Sequence, residues 1–188
     1  LLHGRRRDGA PLILQCSLLP IIEDDGHHAR TVMLATDVTS RERLRQAYVA
    51  LVNPGTDLGL FPDICRVVAT ALACRGVGIG RLSEDRARIE LLSFWLDGAQ
   101  QTVFSYDLVG TPCEDCLRCG DPLLIVERDV VGRFPRDHML QALSLVSFRG
   151  AALRDREGQG LGLLFAVDDK PCRDDADERA LLQVAAQR

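Results

Sequence analysis

The chain has 188 residues, enough for one full domain core and part of a second but too few for two domains of ordinary size. Hydrophobic residues make up 46%, aromatic residues 5% and charged residues 27%, which excludes disorder over the whole length and describes a largely aliphatic core. A formal charge of −4 argues against a nucleic-acid partner, which requires clustered excess base, and no apolar run approaches the roughly 18 residues of a membrane span.

In chain order, Leu1-Leu2 followed by Arg5-Arg6-Arg7 has no small-residue cleavage site and reads as a cut edge, not a signal peptide. Arg7-Asp8-Gly9 predicts a turn and Pro11 to Leu19 a strand. Glu23-Asp24-Asp25-Gly26 predicts a second turn and Ala29 to Ala35 a second strand, completing a hairpin. Thr39-Ser40-Arg41-Glu42 has capping-box spacing, so a helix is expected from Ser40, with Leu44, Ala47, Tyr48 and Leu51 at helical intervals. Asn53-Pro54-Gly55 ends it and marks a domain boundary.

Past the boundary, Phe61, Ile64, Cys65, Val68 and Leu72 recur at helical intervals behind Pro62, with Gly76 as the expected stop. Six strands are predicted next: Val77 to Leu82, Arg88 to Leu96, Thr102 to Val109, Leu123 to Glu127, Ser147 to Leu153 and Gly160 to Val167. In the third, Phe104, Tyr106 and Leu108 alternate onto one face. Short helices separate the first three strands from the last three, and Asp155-Arg156-Glu157-Gly158 closes a hairpin between the final two. Asp175 to Glu178 caps a last helix with Ala180, Leu181, Val184 and Ala185 on its apolar side, and the sequence ends within it. The pattern is α+β: a central, mainly antiparallel six-stranded sheet flanked by helices.

Seven cysteines in scattered positions do not make a secreted disulfide framework, so a reducing cytoplasm is expected. Cys113, Cys116 and Cys119 begin an iron–sulfur spacing, but the next thiol is Cys172 and a continuous helix would spread the three apart. Small apolar side chains filling a core interface is the reading preferred; a metal or cluster site and a redox-sensing thiol pair are the alternatives. In Thr111-Pro112-Cys113-Glu114, Thr111 is an N-cap, Pro112 the first helical residue and Glu114 the side chain that reaches back, giving a short helix to Cys119. Its positive end would suit an anionic group and would lower the thiol pKa of Cys113, unless the motif only starts a helix on the sheet. His3, His27, His28 and His138 read as surface histidines, and Ser144 and Ser147 lack the strand–turn–helix setting of a nucleophile.

Arg6-Arg7-Asp8-Gly9, a strand ending Leu19-Pro20-Ile21, and Ala35-Thr36-Asp37-Val38-Thr39-Ser40-Arg41-Glu42 resemble the closing strands and exit helix of a PAS domain. The resemblance covers residues 1–47, with the exit helix starting near 40, and 48–56 is left as linker. Residues 57–188 resemble a GAF domain of the kind found in sensor histidine kinases and cyclic-di-GMP enzymes. The marks are Tyr106-Asp107-Leu108-Val109-Gly110-Thr111-Pro112-Cys113-Glu114, Phe134-Pro135-Arg136-Asp137, and Gly150-Ala151-Ala152-Leu153-Arg154-Asp155 with Leu161-Gly162-Leu163-Leu164.

That resemblance implies a non-catalytic sensory input module of a bacterial signalling protein. It would form a homodimer, take an unknown small-molecule ligand without a resident cofactor, and relay the signal through its terminal helices to a downstream kinase or cyclase. Placement in the family makes Tyr106, Cys113, Phe134 and Phe148 the pocket candidates. A dimerisation module without ligand is the first rival, and a cysteine enzyme such as a sulfoxide reductase on the same scaffold is another.

Overall fold

The computed structural model describes residues 1–22, 28–52 and 60–187, and the chain divides into two compact units, Leu1–Arg45 and Gln46–Arg188. Among the described residues no helix is long and apolar enough to cross a membrane.

The first unit is a three-stranded antiparallel sheet in the order β1 (Leu2–Arg5), β2 (Pro11–Ile22) and β3 (His28–Asp37). Strand β1, which carries no alternation in its sequence, was not expected. It pairs with β2 through the Arg6–Ala10 turn, closed by the Gly9 amide donating to the Arg6 carbonyl at 3.0 Å. The predicted turn at Glu23–Gly26 and the surface assignment of His27 and of the His28 side chain lie outside the described residues, as does the boundary at Asn53-Pro54-Gly55.

Helix α1 (Thr39–Val52) starts one residue earlier than predicted. The Thr39 hydroxyl donates to Asp37 Oδ1 at 2.6 Å and accepts the Ile13 amide at 2.9 Å, so it ties two strands to the helix start. The Thr39 bonds, aided by Arg6, hold the Asp37 carboxyl below its usual range.

In the second unit, α2 (Leu60–Leu72) buries Ile64, Cys65, Val68 and Leu72 as its period requires, while Phe61 stays exposed. The helix ends at Ala73 in the left-handed region (φ 48°), and Gly76, expected as the stop, instead begins β4 (Gly76–Leu82). Antiparallel β5 (Arg88–Leu96) follows, then β6 (Ala99–Gln100), β7 (Ser105–Asp107), α3 (Pro112–Arg118) and β8 (Leu123–Val126). The remaining elements are α4 (Val130–Arg133), α5 (His138–Ala142), β9 (Ser147–Arg154), β10 (Gly160–Asp168) and α6 (Ala176–Ala186).

The sheet runs β6-β5-β4-β10-β9-β8, with β7 also pairing to β5, and every pairing is antiparallel. The six predicted strands are all present, and a seventh, β6, joins them. Asp97 (φ 50°) and Gly98 (φ 82°) form a two-residue turn with both torsions positive, which folds Ala99–Gln100 back onto β5. The predicted strand from Thr102 to Val109 shortens to Ser105–Asp107, leaving Phe104 exposed while Leu108 is buried.

Alternation gives the sheet two covered faces. On one, Val77, Ile79, Leu164 and Ala166 are buried on the side of α2 and α6, and α6 closes it with Leu181, Leu182 and Ala185. On the other, Ile89, Leu91, Phe94, Phe148, Leu163, Phe165 and Val167 form one core with Cys113, Val130, Phe134 and Leu140 from the segment carrying α3, α4 and α5.

Candidate functional site

The second core is where the four pocket candidates meet. Tyr106 stands on β7, Cys113 is the second residue of α3, Phe134 caps the end of α4 and Phe148 lies on β9. Phe148, Cys113 and Phe134 are buried, and Tyr106 packs against the same cluster half-buried. The Tyr106 hydroxyl and the Cys113 thiol sit 3.2 Å apart, in hydrogen-bond contact.

Rings fill the interior. Phe148 and Phe165 stack with centroids 6.2 Å apart and Phe94 tilts against Phe165 at the same separation, so three rings pack together in this core. A cavity of about 400 Å³ opens instead beside it, over Tyr106. Ser105, Asp107 and Arg88 form its sheet side, Val109 and Thr111 the loop before α3, and Arg136 to Met139 the far wall. Of the four candidates only Tyr106 reaches this cavity.

Local hydrogen bonds fix both walls. Thr111 caps α3 as predicted, accepting from the Glu114 amide at 3.4 Å, while the Glu114 carboxylate reaches back to the Gly110 amide at 2.7 Å, one residue before the expected one. Asp137 caps α5, its Oδ1 accepting the Met139 and Leu140 amides at 3.1 Å each. Burial raises the Asp137 carboxyl above its usual range against the pull of those amides. The Arg136 stem lies over Gly110, whose φ of 77° is left-handed.

Burial governs the two thiols of α3, Cys113 and Cys116. Burial pushes Cys113 up to about 12, although the Tyr106 hydroxyl pulls the other way, and Cys116 up to about 11. This corrects the expectation that the start of α3 would lower the Cys113 pKa: α3 spans only seven residues and the thiol is buried, so desolvation wins. Among the described residues no three His, Cys, Asp or Glu side chains gather as a metal site. Helical spacing sends Cys113 to Tyr106 and Cys116 to β9 beside Gly150, while Cys119 accepts from the Asp121 amide at 3.4 Å. His138 is exposed at the first position of α5, as a surface histidine should be.

The opposite face carries a groove of about 640 Å³ between the ends of α2 and α6, lined by Phe61, Ile64, Leu161 and Leu164 among others. It is mostly apolar, whereas the mouth over Tyr106 combines apolar surface with convergent polar groups, the usual mark of a ligand site.

The GAF domain family matches residues 58–188. This chain belongs to it. Members of the family are sensory or regulatory modules. The GAF domain of an Acinetobacter phosphoenolpyruvate-protein phosphotransferase is similar at 16% identity and TM-score 0.59, over 79% of this chain and 88% of that one. The chromophore-binding domain of Stigmatella aurantiaca phytochrome P1 matches at 12% identity and TM-score 0.59, over 98% of this chain and 70% of that one. A free methionine-R-sulfoxide reductase from Neisseria meningitidis, solved with its substrate, matches at 19% identity and TM-score 0.57, over 79% of this chain and 84% of that one. No curated protein matches the chain.

At these identities the likeness is one of fold, and the GAF fold here is an α+β sandwich whose seven-stranded sheet separates α2 and α6 from the α3–α5 segment. Arg88, Asp107, Val109, Thr111 and Met139 line the mouth of this GAF domain without having been singled out as pocket residues. Asp107, Val109 and Thr111 lay within the Tyr106–Glu114 family mark and Arg136 and Asp137 within Phe134-Pro135-Arg136-Asp137, whereas Arg88 and Met139 carried no signal.

Proposed function

We propose that the chain is a non-catalytic sensory input module that takes a small molecule at the mouth over Tyr106 and passes the signal to α1 and α6. The observation that carries this reading is the placement of two consecutive residues of β9. Phe148 is 1% exposed within the core beneath the mouth, and Arg149 turns to the other face, its guanidinium 3.2 Å from Glu178 in the first turn of α6. A shift of β9 under a bound ligand is therefore felt at α6. The α6 start is also held by Tyr48 of α1, whose hydroxyl donates to the Asp177 carbonyl at 3.2 Å.

Raised thiol pKa values at Cys113 and Cys116 support the non-catalytic reading over a thiol enzyme, because the thiolate is the nucleophile. Residues 1–47 are read as the closing strands and exit helix of a PAS domain, supported by the antiparallel strands and by the Asp37–Thr39 link to Ile13. Homodimerisation, a cytoplasmic setting and a kinase or cyclase output complete the proposal.

Native mass spectrometry of gently purified protein, paired with hydrogen exchange before and after removal of any bound species, tests it. A retained small molecule whose removal speeds exchange in residues 105–111 and in α6 together is the expected result. A molecule-free protein with the two segments uncoupled fits the dimerisation module instead.

A further inference from the structure

We infer that the mouth over Tyr106 selects a small organic anion, with one carboxylate or phosphate group held by Arg136 and an apolar body resting on Tyr106, Val109 and Met139. This rests on the sensory reading above and names the chemical class that reading leaves open.

The electrostatics of the lining single out Arg136. Arg88 faces Asp107 across the β5–β7 pair at 3.6 Å, and Oδ1 of Asp137 accepts the Met139 and Leu140 amides. The Arg136 guanidinium has neither ion pair nor hydrogen bond among the described residues, so it is the mouth's unanswered cation. A guanidinium offers a planar fork of donors that matches carboxylate and phosphate oxygens.

Its stem, rather than the exposed guanidinium itself, is braced. The Arg136 stem packs over Gly110, where an added methyl would lie 3.2 Å from Cδ. The flanking backbone is anchored on both sides: the Pro135 carbonyl accepts from Gln141 Nε2 at 2.7 Å, and the Asp137 amide donates to the Phe134 carbonyl at 3.1 Å. Bracing the stem before a ligand arrives lowers part of the ordering cost of binding. Beside it Val109 is 62% exposed, an apolar surface next to a free charge. The mouth, at about 400 Å³, is near the low end of small-molecule sites.

The test uses three probes of one shape, benzoate, phenyl phosphate and the neutral benzamide, titrated into 15N-labelled protein and followed by amide shifts. Saturable shifts at 105–111 and 136–139 with either acid are expected, with benzamide at least tenfold weaker and the tighter acid identifying the anion. Arg136→Gln, which keeps the stem on Gly110, should weaken the acid at least tenfold, while the exposed-turn control Arg156→Gln should not. Equal binding of benzamide, or unchanged acid binding in Arg136→Gln, overturns the anion assignment and leaves the sensory reading standing. No probe binding also overturns the anion assignment; native mass spectrometry then decides the sensory reading, which stands on a retained molecule and falls with a bare protein.

Discussion

The ring of Phe165 lies against the bare Cα of Gly78, so close that a methyl at position 78 would fall 2.3 Å from the ring Cζ. This contact is why the interior beneath the mouth is solid: glycine on β4 lets the β10 ring settle onto the sheet and meet Phe94 and Phe148. Gly78→Ala should therefore cost about 1–3 kcal/mol in urea unfolding, as overpacking of a buried site does. In a Phe165→Leu background the same change should cost clearly less. Equal penalties in both backgrounds would show that the two residues are not coupled.

A second expectation concerns the seven cysteines. Cys65 and Cys116 are pushed up to about 11 and Cys74 and Cys113 to about 12, all by burial, and Cys172 is buried as well. Cys16, Cys74 and Cys119 are half-exposed, but the Cys74 thiol donates to the Gly76 carbonyl at 3.5 Å. Alkylation at pH 8 under native conditions, read by peptide mass spectrometry, should mark Cys16 and Cys119 first, and Cys113 only on the timescale of unfolding. Fast labelling of Cys113 would revive the redox reading.

How far the sequence foretold this architecture varies with the range of the interactions involved. Helix α2, the β9–β10 hairpin and the caps at Thr111 and Asp175 were legible because each rests on contacts a few residues apart: a 3.6 period, a Gly158 turn, or a side chain accepting amides in the next turn. Strand β6 had a local signal in Asp97-Gly98, but two residues of strand show no alternation to pair with it. The four pocket candidates do converge, yet three of them serve as packing. Whether a phenylalanine lines a cavity or fills it depends on what faces it across the sheet, and Gly78 and Phe165 are 87 residues apart, by the difference of their numbers. The charge at Arg136 was hidden for the same reason, since its isolation follows from where Asp107 and Asp137 spend their carboxylates.

The Arg149–Glu178 pair should show an asymmetry. Arg149's side chain is 9% exposed and Glu178's 26%, so the two partners differ in how easily water replaces the lost one. Glu178→Leu strands a guanidinium in the sheet–helix layer and should cost about 3 kcal/mol. Arg149→Leu leaves a carboxylate nearer solvent and should cost less, and the double leucine variant should recover most of the loss. Hydrogen exchange should also quicken in α6 in each single variant. An unaltered α6 would remove Arg149 from the proposed route between mouth and helix.

Asp137 gives the pH test. Burial raises its folded-state pKa above the unfolded value, with the Leu140 and Met139 amides and His138 pulling it down without winning. The folded state thus holds this proton more tightly than the unfolded chain, and linkage fixes the sign: stability falls as pH climbs from the ordinary carboxylate pKa through the raised one. Asp137→Asn keeps an oxygen for the two amides and removes the titration, so its melting temperature should lack that decline and match or exceed wild type at pH 7. Asp137→Ala loses the cap and should cost about 1 kcal/mol at every pH. Parallel melting curves against pH for wild type and Asp137→Asn would mean that the carboxyl is not raised by its burial, and that the wall of the mouth is wetter than its packing indicates.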